Sequence, residues 1–260
     1  MSGSSLDVSS FSKAAAGAVE AKCEAEQFQV LHLTAILGPV LQNAGLEKKV
    51  SDSKHDGLLG AVYDAKRPEE VASLYDQWAE TYDAEMSAAG YRHPTICLAL
   101  LARHLPRRAE PLLDAGAGTG LIGEWLAIMG YPRVEALDIS AGMLAMAARK
   151  GVYTALHQLA MGSALPFTDG AFAGIISAGV FTSGHVGIEG LDELIRICRP
   201  GGVIVLTVKD TLWMADFAAH VSALEVKGQI ARAEETATYL SMPGEAGTSP
   251  SRGLVLRVCM

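Results

Sequence analysis

Leu112-Leu113-Asp114-Ala115-Gly116-Ala117-Gly118-Thr119-Gly120 decides the fold. An apolar run ends on an acid, a glycine-rich turn follows, and Leu121-Ile122-Gly123-Glu124-Trp125-Leu126 opens a helical pattern. A strand that feeds a helix through such a turn lets a ligand lie against bare backbone near the helix N-terminus.

Two ligand classes use this arrangement. A dinucleotide site wants G-x-G-x-x-G, so that helix and strand pack closely beneath a pyrophosphate. Here Leu121 stands where the third glycine belongs, and Asp114 sits at the mouth of the turn. A carboxylate there repels a pyrophosphate across a short, poorly screened distance. The same carboxylate, directly or through water, suits the ammonium group of an amino acid. Asp138 follows about twenty residues on, where an acid accepts both hydroxyls of a ribose. That contact serves both classes, so Asp138 alone does not separate them.

Downstream the pattern alternates. Strands are expected at Pro111 to Asp114, Arg133 to Asp138, Val152 to His157, Gly174 to Val180 and, after the Pro200-Gly201-Gly202 turn, Val203 to Val208. Helices fall between them: Leu121 to Met129, a Ser140-capped helix to Arg149, and Glu189 to Ile197. Helix-length crossovers imply a mostly parallel sheet with helices on both faces. A helical stretch near Trp213 to Val226 precedes a closing hairpin formed by Ile230 to Leu240 and Leu254 to Cys259.

Upstream, Pro68 to Ala88 reads as one helix, with Pro68 at a first helical position and Val71, Leu74, Tyr75, Trp78 and Tyr82 forming a stripe. Another helix fits Pro94 to His104. Residues 67–105 thus make cap helices on a domain spanning 67–260. Residues 1–66 read as a helical extension and linker: Phe11 to about Ala44 is helical in character, broken at Gly38-Pro39, and the stretch from Glu47 to Gly57 is polar.

The bulk numbers narrow the function. Half of the 260 residues are hydrophobic, and the net charge is −8. The basic residues are scattered, which argues against nucleic acid as a partner. No apolar run approaches the ~20 residues needed to cross a membrane. Cys23, Cys97, Cys198 and Cys259 form no C-x-x-C pair, so packed thiols in a reducing cytoplasm are expected.

At this point the chain resembles a class I S-adenosylmethionine-dependent methyltransferase. Asp114 to Gly120 resembles that family's first motif, and Ala136-Leu137-Asp138-Ile139-Ser140 with Met143-Leu144 its ribose-and-adenine motif. Ala164 to Phe172 resembles the lead into its fourth strand, and Arg199-Pro200-Gly201-Gly202 the turn into its fifth. Leu74 to Asp83, Gly90 to Pro94 and Gly179 to Val186 narrow the likeness to the subgroup of the methyltransferase-like protein from the Williams–Beuren syndrome region.

The resemblance implies a Rossmann-like, seven-stranded sheet with one antiparallel strand. It also implies S-adenosylmethionine as cofactor, with Asp114, Gly116 and Gly118 toward the methionine portion and Thr119 within the same loop. Asp138 would hold the ribose, while Ile139 and Met143 sandwich the adenine. Many relatives carry an acid just before the Leu-Pro-Phe segment; here that place is Met161, followed by Gly162 and Ser163, so adenine contact falls to backbone or Ser163. A second departure is Phe172-Ala173 where relatives often have Phe-Asp.

A sulfonium cofactor arrives with its methyl group activated, so the protein must align a nucleophile and exclude water. Three places could cover the acceptor. The stripe of Tyr75, Trp78 and Tyr82 either packs on the sheet or meets the cofactor, since aromatic faces attract a sulfonium. Tyr91-Arg92-His93 is either a solvated turn or an acceptor contact through Tyr91 or His93. Phe181-Thr182-Ser183-Gly184-His185 follows the fourth strand. Within it His185 is the candidate base or orienting group, against a role in tying down the loop. Trp213 either walls the acceptor pocket or belongs to the core. No metal cluster is expected.

The leading expectation is methyl transfer by in-line displacement to a nucleophilic O, N or S of a small-molecule acceptor. A protein acceptor stays open because residues 1–66 could bind one. A non-catalytic cofactor-binding regulator is the alternative of another class, and a homodimer is left open. A nicotinamide dehydrogenase is disfavoured by Leu121 and Asp114.

Overall fold

The computed structural model describes residues 57–65, 67–182, 186–245 and 248–259. The helical reading of Phe11 to Ala44 and the break at Gly38-Pro39 lie outside the described residues, as do Ser183, Gly184 and His185.

The cap comes first: α1 (Gly57–Asp64), α2 (Pro68–Trp78), α3 (Tyr82–Ala88) and α4 (His93–His104). Then follow β1 (Leu112–Ala115), α5 (Gly123–Ile128), β2 (Val134–Asp138), α6 (Ala141–Arg149), β3 (Ala155–Gln158), β4 (Phe172–Phe181), α7 (Ile188–Ile197) and β5 (Cys198–Lys209). A short helical start (Asp210–Leu212), one π-helical turn (Trp213–Phe217) and α8 (Ala218–Val226) lead into β6 (Ile230–Glu235), β7 (Tyr239–Leu240) and β8 (Pro250–Val258).

The sheet order is β3-β2-β1-β4-β5-β8-β6, with β7 also paired to β8. β1 to β5 are mutually parallel, and β8 runs antiparallel to both β5 and β6. The seven-stranded path with one reversed strand matches the expectation. The two-residue β7 adds an eighth strand, because the hairpin arm Ile230 to Leu240 loses its ladder pairing after Thr236, whose N–H still bonds the Gly253 carbonyl, and regains it at Tyr239↔Ser251.

Alternation sorts the strand residues onto two faces. Val203 and Val205 of β5 face a cluster with Leu100 and Leu101 of α4 and Leu126 of α5. Ile204, Leu206 and Val208 face Leu191 and Leu194 of α7 together with Phe217 and Val221. β5 is therefore covered on both sides, which is why its sequence runs apolar without alternation. Each fully buried Leu, Ile or Val contributes roughly 1.5–3 kcal/mol.

Two expectations need correction. Residues 199–202 do not form a turn before β5 but bulge inside it, opposite Ala173, since the register steps from Phe172↔Cys198 to Gly174↔Val203. And the helix expected from Pro68 to Ala88 breaks at Ala79–Thr81. There the Thr81 N–H bonds the Trp78 carbonyl at 3.1 Å, and the Trp78 indole donates to Glu85 Oε2 at 2.8 Å. Turning the chain buries Trp78 with its N–H satisfied. The stripe becomes a cluster: Trp78 stacks on Tyr75 at 6.1 Å and meets Tyr82 edge-on at 5.0 Å.

Within the span read as extension, α1 packs Val62 into this aromatic cluster beside Trp78 and Met86. No helix among the described residues is long and apolar enough to cross a membrane.

Candidate active site

A cavity of about 290 Å³ opens beyond the C-terminal ends of β1, β2 and β4. This is the point where the strand order reverses between β1 and β4, the place where open parallel sheets bind ligands. Its floor is the glycine loop. Gly116 N–H and Ala117 N–H donate to the Leu137 carbonyl at 2.7 and 3.0 Å and tie the loop to β2. Gly118 has φ +55, and a Cβ on it would meet nothing within 4 Å, so the loop presents an open cradle there.

Asp138 joins loop to strand. Its Oδ2 accepts from Gly118 N–H at 2.8 Å and its Oδ1 from Ser140 N–H at 2.9 Å. Burial pushes its carboxyl above the usual range, while the N–H groups of Ser140, Gly118 and Ile139 pull it back. Ser140 also caps α6, its Oγ accepting from Met143 N–H at 3.0 Å, as its residue type predicts. The cap seats Met143 beside Leu137 and Ile139 as an apolar wall, with Met161 on the same cavity.

Asp114 does not line this cavity. It is 1% exposed, and Tyr153 Oη donates to its Oδ2 at 2.6 Å. The other oxygen, Oδ1, has no hydrogen-bond partner among the described residues. Burial pushes the carboxyl up to about 7 against the opposing pull of Tyr153; the nearby Asp138 charge adds to the rise. Thr119 is turned away too: its hydroxyl donates to Asp83 of α3. Gly162 and Ser163 stand outside the cavity, Ser163 Oγ donating to the Ala160 carbonyl at 3.1 Å.

The cap closes the cavity from above. Tyr75, Tyr82 and Tyr91 line it, with Arg67, Pro68 and Val71 at the start of α2. Two acids pin the cap to the core. Asp76 Oδ1 accepts from Ser140 Oγ at 2.6 Å and from Gly142 N–H at 2.7 Å, completing the N-terminus of α6. Asp83 accepts from Thr119 and pairs with Lys150 at 3.2 Å.

A second cavity, about 30 Å³, adjoins the first and shares Tyr75, Tyr82, Tyr91 and Gly179 with it. Here the structure places Trp78 and His93, together with Lys209. His93 Nδ1 lies 2.8 Å from Tyr239 Oη, and burial, aided by the Lys209 charge, lowers the imidazole to about 3, so it stays neutral.

Two expected acceptor residues lie elsewhere. Phe181 is in the core, edge-on to Phe217 at 5.5 Å. Trp213 lies under the guanidinium groups of Arg252 at 4.6 Å and Arg232 at 5.5 Å and lines neither cavity. Sequence reasoning missed Tyr153, Asp76, Asp83 and Lys209. Only Lys209 had a local signal, a cation closing an otherwise apolar strand. Among the described residues there is no cluster of His, Cys, Asp or Glu that could hold a metal ion.

Comparison with known proteins agrees with this geometry. Residues 113–206 match the family model described as a methyltransferase domain. A demethylmenaquinone methyltransferase of Clavibacter sepedonicus is 30% identical over 145 residues, covering 55% of this chain and 59% of its own length. A malonyl-[acyl-carrier protein] O-methyltransferase of Serratia marcescens is 34% identical over 146 residues, covering 55% and 54%. The chain thus spans little more than half the length of these curated relatives. A TehB-like SAM-dependent methyltransferase from Corynebacterium glutamicum superposes with a TM-score of 0.51 at 21% identity, over 72% of this chain and 98% of that one. Residues 113–206 are thus similar to a methyltransferase domain, and the sheet around them has the Rossmann-like methyltransferase fold.

Proposed function

We propose that this chain transfers the methyl group of S-adenosylmethionine to a nucleophilic O, N or S atom of a small-molecule acceptor. The observation that carries the proposal is the continuous cradle formed by Gly116, Gly118, Asp138, Ile139 and Met143 beneath an aromatic cap. The open space above Gly118 and the lone Oδ1 of Asp114 fit the cofactor.

Asp138 would accept from the ribose hydroxyls with the lone pairs left by Gly118 and Ser140. Ile139 and Met143 would hold the adenine, and Met161 its far side. Asp114 Oδ1 would serve the ammonium end, directly or through water. When bound, the cofactor supplies an activated methyl group on a sulfonium centre. Tyr75 and Tyr82 line the cavity, and an aromatic face there would favour a sulfonium over its neutral product. The cap excludes water and fixes the approach of the acceptor, which alone can lower the barrier by ~7–11 kcal/mol. His185 is kept in this proposal as a base or orienting group for acceptors that must lose a proton.

The relatives named for menaquinone and acyl-carrier-protein chemistry support a small acceptor by analogy. The narrower likeness to the Williams–Beuren-region subgroup, the domain boundary near residue 67 and a homodimeric state belong to the same proposal. So does a cytoplasmic setting, which the unpaired thiols of Cys97, Cys198 and Cys259 support. The test is incubation of the full chain with methyl-labelled S-adenosylmethionine and a metabolite extract. Label should appear in small molecules heavier by one methyl group. Cofactor binding without label in any acceptor would favour a regulatory protein instead.

A further inference from the structure

His93 is a buried titratable group that the cofactor cradle does not use. It opens α4, is 4% exposed and lines the second cavity. Tyr91 and Tyr239 meet its ring edge-on at 5.3 and 5.6 Å, and the 2.8 Å contact between Nδ1 and the Tyr239 hydroxyl fixes its rotation. Tyr239 is itself carried by the sheet, where it pairs with Ser251 of β8. The opposite edge of the ring is turned toward β4: a Cβ built on Gly179 would lie 3.4 Å from His93 Cδ2, the carbon bonded to Nε2. Gly179 and Tyr91 line both cavities, so this edge stands where the two meet. At φ +78, Gly179 keeps that passage open, because a Cβ there would also run into the Tyr91 hydroxyl.

Burial holds the imidazole neutral, and the Lys209 charge acts in the same direction. Burial also keeps the proton on the Tyr239 hydroxyl. A neutral ring offers one N–H and one lone pair. With Nδ1–H donating to Tyr239 Oη, a common arrangement for a histidine beside oxygen, the lone pair lies on Nε2. The small cavity, about 30 Å³, has room for roughly two waters. It admits a hydroxyl group and leaves the body of a larger molecule on the cofactor side.

We propose that the methyl acceptor is an alcohol, phenol or enol whose hydroxyl bonds to His93 Nε2, with His93 as the base and Tyr239 as its positioning residue. This rests on the methyltransferase reading and names its accepting atom. In the step, the hydroxyl oxygen forms its bond to the methyl carbon while the carbon–sulfur bond breaks and its electron pair stays on sulfur. The O–H proton passes to Nε2, and the imidazolium keeps its Nδ1–H on Tyr239 Oη until water takes the proton after the methyl ether leaves. A ring that resists protonation in the free chain still serves, because the oxygen becomes strongly acidic as its bond to carbon forms. A carboxylate has no use for such a base, since it brings no proton.

Nitrogen NMR of the imidazoles in the full chain, with S-adenosylhomocysteine present, reads the ring apart from any turnover. The His93 signals, assigned through their response to Tyr239→Phe, should show the proton on Nδ1 and a bare Nε2 at pH 7. A proton fixed on Nε2, or on both nitrogens, overturns the proposal, and this reading stands even if a His93 variant fails to fold. In the labelling assay the label should sit on oxygen, as methyl ethers. With the acceptor found there, His93→Gln should lower kcat about a hundredfold or more while S-adenosylhomocysteine affinity is kept. Tyr239→Phe should lower kcat by less, with KM little changed. Full turnover in His93→Gln, a loss confined to His185→Ala, or label on nitrogen, sulfur or carbon alone overturns it. A chain that binds no S-adenosylmethionine strikes the methyltransferase reading instead, whatever the tautomer of His93.

Discussion

The Tyr153 hydroxyl donates to Asp114 Oδ2 at 2.6 Å, so the acid that closes the first strand is held inside the fold, where the ring packs against Gly120 and Gly123. One carboxylate oxygen is thereby committed to Tyr153, and the other has no hydrogen-bond partner among the described residues. Tyr153→Phe strands a buried acceptor and should cost about 1–3 kcal/mol of stability. Asp114→Asn should instead weaken S-adenosylmethionine binding by roughly tenfold or more, as for loss of a charged hydrogen-bond partner. Urea melts read the first and calorimetry the second; equal cofactor affinity in Asp114→Asn and wild type would remove Asp114 from the cofactor site.

The same carboxyl sets a pH dependence. Its folded-state value of about 7 lies above its unfolded value of 3.8. The folded chain therefore keeps a proton that the unfolded chain has already released, and the stability this lends is present at low pH and lost as pH rises toward about 7. Wild type minus Asp114→Asn should show this as a stability difference that falls between about pH 4 and about pH 7 and is flat above. Melts across that window check it; a difference independent of pH would mean that Asp114 titrates normally.

Asp138, the proposed ribose acceptor, accepts from two backbone N–H groups. Asp138→Ala should lower cofactor affinity by more than about tenfold and also loosen the glycine loop, since Gly118 and Ser140 each lose a charge-assisted bond. Hydrogen exchange at those two amides should accelerate alongside the loss of binding heat. A loss of affinity with unchanged exchange would place Asp138 in ligand contact alone.

Gly118 and Gly142 predict opposite kinds of damage. Gly118→Ala adds a methyl group to open space at φ +55, so left-handed strain of ~1–2 kcal/mol should accompany a drop in cofactor affinity with the fold intact. Gly142→Ala would set its Cβ 2.9 Å from the Asp76 Cα. That collision is with backbone and should cost about 1–3 kcal/mol, with α2 more open to protease. Thermal melts and limited proteolysis of the two variants should diverge accordingly.

The parts of the site that were legible in the sequence are those fixed by local geometry. The glycine turn, Asp138, Ile139, Met143 and the Ser140 cap follow one another closely along β1 to α6, so their meeting at one place could be read from the sequence, while the roles of Ile139 and Met143 are what the family resemblance implies. What the sequence hid depends on where distant segments meet. Tyr153 lies before a weak strand and matters only because it packs under Gly120 and Gly123. Trp213 looked suited to an acceptor pocket, but Arg232 and Arg252 arrive from the β6–β8 hairpin and occupy its face. The aromatic stripe read correctly as apolar, and its Tyr75 and Tyr82 line the cavity, yet the bond from Trp78 to Glu85 that breaks the helix joins residues in different turns and has no periodic signature.

The pair of pins on the cap ties occupancy to rigidity. Asp76 holds the segment before the break at Ala79–Thr81, and Asp83 holds the segment after it. Their anchors, Ser140 with Gly142 on one side and Thr119 on the other, belong to the backbone that shapes the cofactor cradle. Whatever steadies that backbone also steadies both sides of the break, and linkage makes the reverse equally true. Filling the nucleoside half of the groove is therefore expected to steady the roof, and fixing the roof to tighten the hold on the nucleoside in equal measure.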